Sequence, residues 1–199
     1  NHKVESAKHL LAALSGETSK IAPKDYVEQL FDGYASNFEN SLVKTLEYQT
    51  PKLITEMILV DNHSRSFGSV LDLGCGTGLL GEEIRKFCTT LEGVDLSGKM
   101  LDIAKTKDLY DRLVKQDILE YLASASLDFN YYIATDVFVY FGDLNDVFEL
   151  IKCRNKSGGK LVFSTEHSER SSFFLEKSGR YSHPKTYIQS LCDKFSYKL

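Results

Sequence analysis

The sequence lacks any run of lysine or arginine long enough to follow a phosphate backbone. Its 24 basic and 28 acidic residues leave a formal charge of -4. A nucleic-acid binder shows a basic stripe, so nucleic acid is not the expected partner. No apolar stretch approaches the ~18 residues that cross a bilayer, so no membrane association is expected. There is no C-x-x-C pair: Cys75, Cys88, Cys153 and Cys192 are widely and irregularly spaced, and five scattered histidines complete no ligand cluster. No metal site is therefore expected, and the cysteines read as free thiols of a reducing, cytoplasmic compartment. Low-complexity segments and internal repeats are also missing. The start, Asn1-His2-Lys3, runs straight into an amphipathic segment without a signal-peptide pattern, and without Met it reads as a fragment.

What is present is the composition of a globular protein, 42% hydrophobic and 26% charged over 199 residues, enough for one sizeable core. Val4, Ala7, Leu11 and Leu14 recur at helical spacing, and Gly16 is a stop. Pro23 can open a second helix with the aromatic stripe Tyr26, Val27, Leu30, Phe31, Tyr34. Thr50-Pro51 can open another. Residues 1–60 thus read as a helical segment. Beyond it, strands alternate with helices: 69–73, 90–94, 112–115, 127–135 and 160–164 as strands, with 79–87, 97–107, 118–123 and 144–153 as helices. That rhythm implies an α/β fold, Rossmann-like and doubly wound, with a mostly parallel sheet, helices on both faces and an N-terminal helical cap. Ligands of such sheets bind beyond the carboxyl ends of the strands, at the switch point.

Asp72-Leu73-Gly74-Cys75-Gly76-Thr77-Gly78 follows the first strand, with Gly81 beyond. Alternating glycines permit a tight turn and close approach of backbone to ligand, ahead of a helix N-terminus. Gly76, Gly78 and Gly81 also satisfy G-x-G-x-x-G, so a dinucleotide must be weighed. Asp72 tips the balance: at the strand end its carboxylate should face the pocket, where an anionic pyrophosphate gains nothing, whereas the cationic amino group of S-adenosylmethionine does. Asp95, 23 residues on and at the end of the second strand, can accept from ribose hydroxyls of either cofactor. Ser97 can cap the next helix, and Met100 can pack against adenine or in the core. Asp117 can accept from the adenine amino group with Ile118 over the ring, or cap the following helix. Asp136 ends the fourth strand facing the cleft, and Phe138, Tyr140 and Phe141 can wall the acceptor side or fill the core.

The string Val70-Leu71-Asp72-Leu73-Gly74-Cys75-Gly76-Thr77-Gly78, with Asp95 and Asp117-Ile118, resembles class I S-adenosylmethionine-dependent methyltransferases over at least residues 50–165. The stretches Tyr26–Ala35, Thr135–Leu144 and Gly179–His183 narrow the resemblance to bacterial methyltransferases that carry tetratricopeptide repeats. The resemblance implies residues 61–199 as the catalytic domain and residues 1–60 as a cap. Residues 3–15 would be a last repeat helix or a capping helix, with a protein partner reached through upstream repeats. It implies a cofactor site lined by Asp72, Gly74, Gly76, Asp95, Leu96, Asp117, Ile118 and Asp136, with Tyr26 and Tyr34 closing over it; Cys75 and Met100 are expected to join that site. It also implies a sheet that continues past the fifth strand into an antiparallel hairpin, whereas this chain ends at Leu199, near where a sixth strand would run.

The expected reaction is methyl transfer to oxygen or nitrogen of a small molecule, yielding S-adenosylhomocysteine. Absence of Asn-Pro-Pro-Tyr or Asp-Pro-Pro-Tyr after the fourth strand argues against a nucleic-acid base as acceptor. Positioning supplies much of the acceleration, and a base is needed only where the acceptor carries a proton to remove. His167, Tyr181 and His183 are the candidates, with Glu166; Arg180 can pair with an anionic acceptor or form a surface salt bridge. Two rivals stay open: a non-catalytic scaffold of the same fold, and an NAD-dependent oxidoreductase, for whose second domain no chain is left.

Overall fold

The computed structural model describes residues 2–39, 48–61, 66–124 and 127–199. Its centre is a five-stranded sheet of β1 (Gly68–Leu73), β2 (Cys88–Asp95), β3 (Arg112–Lys115), β4 (Tyr131–Ala134) and β5 (Lys160–Phe163), in the order β3-β2-β1-β4-β5. Every pairing is parallel, as the alternation with helices requires. In β1, Val70, Leu71 and Leu73 are fully buried, because helices cover both faces. Each such side chain contributes roughly 1.5–3 kcal/mol relative to exposure.

Strand alternation divides the core. Leu71 and Leu73 join Tyr132, Ala134 and Phe148 on the face covered by α6 (Ile118–Ala123), α7 (Asn145–Arg154) and α8 (Lys185–Phe195). Val70 joins Leu91, Tyr131 and Ile133 on the opposite face, under α3 (Thr50–Asp61) and α4 (Leu79–Ile84). The expected strand over 127–135 is shorter than foreseen. Asn130 turns its side chain to accept from the Ser69 N–H at 2.8 Å, so regular pairing begins at Tyr131.

The N-terminal helices are α1 (His2–Ser15) and α2 (Lys24–Tyr34); the rest of the helical stretch expected there, over 40–47, lies outside the described residues. Between the two helices the chain is stitched to the loop after β4. Ile21 bridges Phe141, the Ala22 N–H donates to the Tyr140 carbonyl at 3.0 Å, and the Gly142 N–H donates to the Lys20 carbonyl at 2.9 Å. The last helix between β2 and β3 is α5 (Gly98–Thr106).

Beyond β5 the structure departs from expectation. Three short strands, β6 (Glu166–His167), β7 (Phe174–Leu175) and β8 (Tyr181–His183), form a separate sheet in the order β6-β8-β7. A sixth strand expected near the end is replaced by α8, whose buried Leu191 and Cys192 pack on the α6–α7 side. Among the described residues no helix is long and apolar enough to cross a membrane.

Candidate functional site

The loop leaving β1 has Gly74 at φ 71° and Gly76 at φ 54°. A side chain on Gly76 would meet nothing within 4 Å, so the backbone there faces open space. That space is a cavity of about 470 Å3 at the carboxyl ends of β1, β2, β3 and β4, the switch-point location. Gly74, Gly76, Asp95, Leu96, Asp117, Ile118 and Asp136 line it from the sheet, and Tyr34 lines it from α2. These eight are brought together as the sequence anticipated.

Asp95 is fixed at the end of β2 by two backbone donors, the Gly76 N–H to Oδ2 at 2.9 Å and the Ser97 N–H to Oδ1 at 2.8 Å. Burial outweighs these bonds and pushes its pKa up to about 6. Ser97 caps α5, accepting from the Met100 N–H at 3.1 Å. Asp117 caps α6, accepting from the Glu120 N–H at 3.1 Å, and lies 3.3 Å from Lys24 Nζ. Its capping and lining roles coexist. Asp136 occupies the left-handed region at φ 56°, a strained position for a non-glycine residue. Ser164 holds it there, donating from its hydroxyl to Oδ1 at 2.8 Å and accepting the Asp136 N–H at 2.8 Å. Tyr48 hydrogen-bonds the same carboxylate; burial first, then Asp136, pushes that phenol up.

Four expected residues are placed elsewhere. Asp72 is fully buried and does not line the cavity. With Val70 it points to the α3–α4 face, where the Tyr110 hydroxyl donates to Oδ2 at 2.7 Å. Burial pushes its pKa up to about 7, and Oδ1 has no partner among the described residues. Cys75 turns inward against Gly93, 2.8 Å from where a Cβ there would sit, and burial pushes its thiol up. Met100 is a core residue, 1% exposed. Tyr26 faces α1 rather than the cavity, its ring 4.9 Å from His9 and packed with Ala13 and Tyr181.

Tyr110 went unnoticed in the sequence, and it changes the meaning of the glycines. A Cβ at Gly78 would lie 3.1 Å from its ring, one at Gly81 2.7 Å from its hydroxyl, and one at Gly93 3.0 Å from its ring. The last two glycines of G-x-G-x-x-G therefore make room for a tyrosine, and need no pyrophosphate to account for them.

The base candidates are also corrected: none lines the cavity. His167 is exposed and pairs with Glu169 at 2.8 Å. Tyr181 is fully buried, its hydroxyl 2.6 Å from Ser19 Oγ. His183 has both nitrogens occupied. Nε2 must donate to the Gly142 carbonyl at 3.0 Å, so Nδ1 accepts from Thr165 Oγ1 at 2.5 Å. Burial pushes its pKa down, which favours this neutral form. These residues fasten the small sheet to the loop after β4. Of the aromatics, Tyr140 and Phe141 wall the cavity, while Phe138 is fully buried in the core. Arg180 does reach the cavity, and Lys24, Phe31 and Tyr48 are lining residues the sequence reading had not marked.

Residues 70–159 match the methyltransferase domain family. A ubiquinone biosynthesis O-methyltransferase of Coxiella burnetii is 34% identical over 100 residues, 48% of this chain and 42% of that protein. The chain thus spans less than half the length of this curated relative. Magnesium protoporphyrin IX methyltransferase (ChlM) of Synechocystis, solved with S-adenosylhomocysteine, superposes with a TM-score of 0.67 at 18% identity, covering 86% of this chain and 88% of that one. The N-methyltransferase NodS of Bradyrhizobium japonicum, also solved with S-adenosylhomocysteine, superposes with a TM-score of 0.67 at 19% identity, covering 83% and 84%. The chain shares the Rossmann-like fold of these two methyltransferases.

Proposed function

We propose that this chain is an enzyme, an S-adenosylmethionine-dependent methyltransferase acting on oxygen or nitrogen of a small organic acceptor. The observation that carries this reading is the cavity floored by Gly74, Gly76 and Asp95 at the switch point of a domain that matches the methyltransferase family. The residues suit the cofactor. Gly76 offers open space where a side chain would stand, and Asp95 keeps acceptor capacity for ribose hydroxyls beyond its two backbone donors. Asp117 and Ile118 serve the adenine. Asp72 acts from beneath the loop, as a buried charge that favours a cation above it, rather than by direct contact.

When bound, the cofactor supplies an electrophilic methyl group, whose carbon–sulfur bond breaks as an acceptor lone pair bonds to carbon, leaving a neutral thioether. The chain's part is to place the acceptor in line and keep water out. Phe31, Tyr34 and Tyr140 form the dry wall, and the strained Asp136 fixes the backbone where the two reactants meet. Positioning supplies much of the acceleration, and a base is needed only where the acceptor carries a proton to remove.

Within residues 1–60, α1 and α2 act as the cap, whereas α3 covers the sheet and belongs with 61–199 to the catalytic domain. Upstream tetratricopeptide repeats and a protein partner bound through them belong to the same reading, as does a cytoplasmic location. Leu11 and Leu14 on α1 support the repeats, being 65% and 67% exposed as a last repeat helix awaiting a neighbour would be. Asp95→Asn should lower affinity for S-adenosylmethionine roughly tenfold to a hundredfold, the worth of charge-assisted hydrogen bonds. Unchanged affinity by calorimetric titration would remove Asp95 from the site.

A further inference from the structure

The acceptor itself can be narrowed, and this step rests on the methyltransferase reading of the cavity. Its acids are Asp95, Asp117 and, after β4 and close to Tyr140, Asp136. Asp95 and Asp117 stand at the ends of β2 and β3, on one side of β1. Lys24, the cation on that side, is already held by Glu120 at 2.5 Å and Asp117 at 3.3 Å. On the other side, beyond β4, a cation among the described lining residues is Arg180, just before β8 and close to Tyr140. Around it the lining is apolar and aromatic: Val27, Phe31, Tyr140 and Phe141.

Arg180 is poorly satisfied. Its Nε is buried and lies 2.8 Å from Glu166 Oε1, yet the contact lacks hydrogen-bonding geometry. Both side chains of this pair are more than a third exposed, 37% and 40%, so the pair is weak and displaceable. A guanidinium presents a planar fork of donors that matches a carboxylate with two parallel hydrogen bonds. The lining acids Asp95, Asp117 and Asp136 would repel a multiply charged anion, whereas Arg180, once released from Glu166, suits one negative charge.

We propose that the acceptor is a small aromatic monocarboxylate bearing a hydroxyl or amino group, its ring against Phe31 and Tyr140 and its carboxylate displacing Glu166 from Arg180; the methyl group leaves sulfur for that oxygen or nitrogen, whose proton passes to solvent. The test is calorimetric titration of the protein, saturated with S-adenosylhomocysteine, with benzoate, cinnamate and 2-naphthoate, each against its methyl ester. At least one acid should bind tenfold or more tighter than its ester. Arg180→Met should erase that preference and Arg180→Lys should keep part of it. Glu166→Gln should strengthen acid binding, a gain that a merely structural pair would not produce. Equal binding of acids and esters, an acid preference that survives Arg180→Met, or no binding of either class overturns the inference while leaving the cofactor reading intact. Failure of S-adenosylhomocysteine to bind overturns both.

Discussion

Asp72 holds the folded protein in tension with its ligand. It is fully buried, one oxygen on Tyr110 and the other without a partner among the described residues, and its pKa is pushed up to about 7. A carboxyl whose folded pKa lies above its unfolded value favours folding at low pH and loses that contribution as pH rises through about 7. Asp72→Asn, which keeps the acceptor for Tyr110, should raise the melting temperature of the cofactor-free protein at pH 8 by on the order of 5 °C, with the gain shrinking as pH falls from about 7 and vanishing only below the ordinary carboxylate value of 3.8. The same change should weaken S-adenosylmethionine binding at pH 8, because the charge under the loop is gone. A lower melting temperature at pH 8 would show that the ionised carboxylate is not under strain. Gly81→Ala places a methyl 2.7 Å from the Tyr110 hydroxyl and should cost about 1–3 kcal/mol in urea unfolding. The glycine pattern was legible in the sequence. Tyr110 was not, because its spacing from the loop reflects a contact made only once α5 and β3 are packed.

At the scale of elements, α2 is attached by two different faces. Lys24, Glu28 and Asp32, four residues apart, reach Asp117, Lys115 and Ser97 respectively; the last contact is a Ser97 hydroxyl donating at 2.5 Å. Val27, Leu30, Phe31 and Tyr34 turn to the cavity instead, and none of the helix is buried. Ion pairs near the surface contribute little each, and only Tyr26 and Val27 of the helix pack against a small core cluster, so α2 belongs to the low-stability end of the fold. Its amide hydrogens should exchange faster than those of β1 and β4, and should slow when S-adenosylmethionine is added. Exchange as slow as in β1 without cofactor would contradict this. The amphipathic stripe predicted the helix correctly. It did not predict that Tyr26 and Tyr34 point opposite ways, because both lie on aromatic positions of one stripe and only the packing of α1 separates them.

At the scale of the whole molecule, periodicity and turn chemistry were enough to foresee the five parallel strands and the switch-point cavity. The segment after β5 was opaque. Its strands are two or three residues long, too short for an alternating pattern, and are fixed by distant partners such as His183 with Gly142 and Tyr181 with Ser19. Those contacts draw the small sheet, the N-terminal stitch and the loop after β4 into one wall beside the cavity. They also explain why chemically active residue types there are structural. The central claim is that this wall and the loop after β1 enclose S-adenosylmethionine. Calorimetric titration with S-adenosylmethionine, S-adenosylhomocysteine and NAD tests it most directly. Binding of the first two with no binding of NAD is the expected result. Binding of NAD alone would contradict it in favour of an oxidoreductase, and binding of none would contradict it in favour of a scaffold.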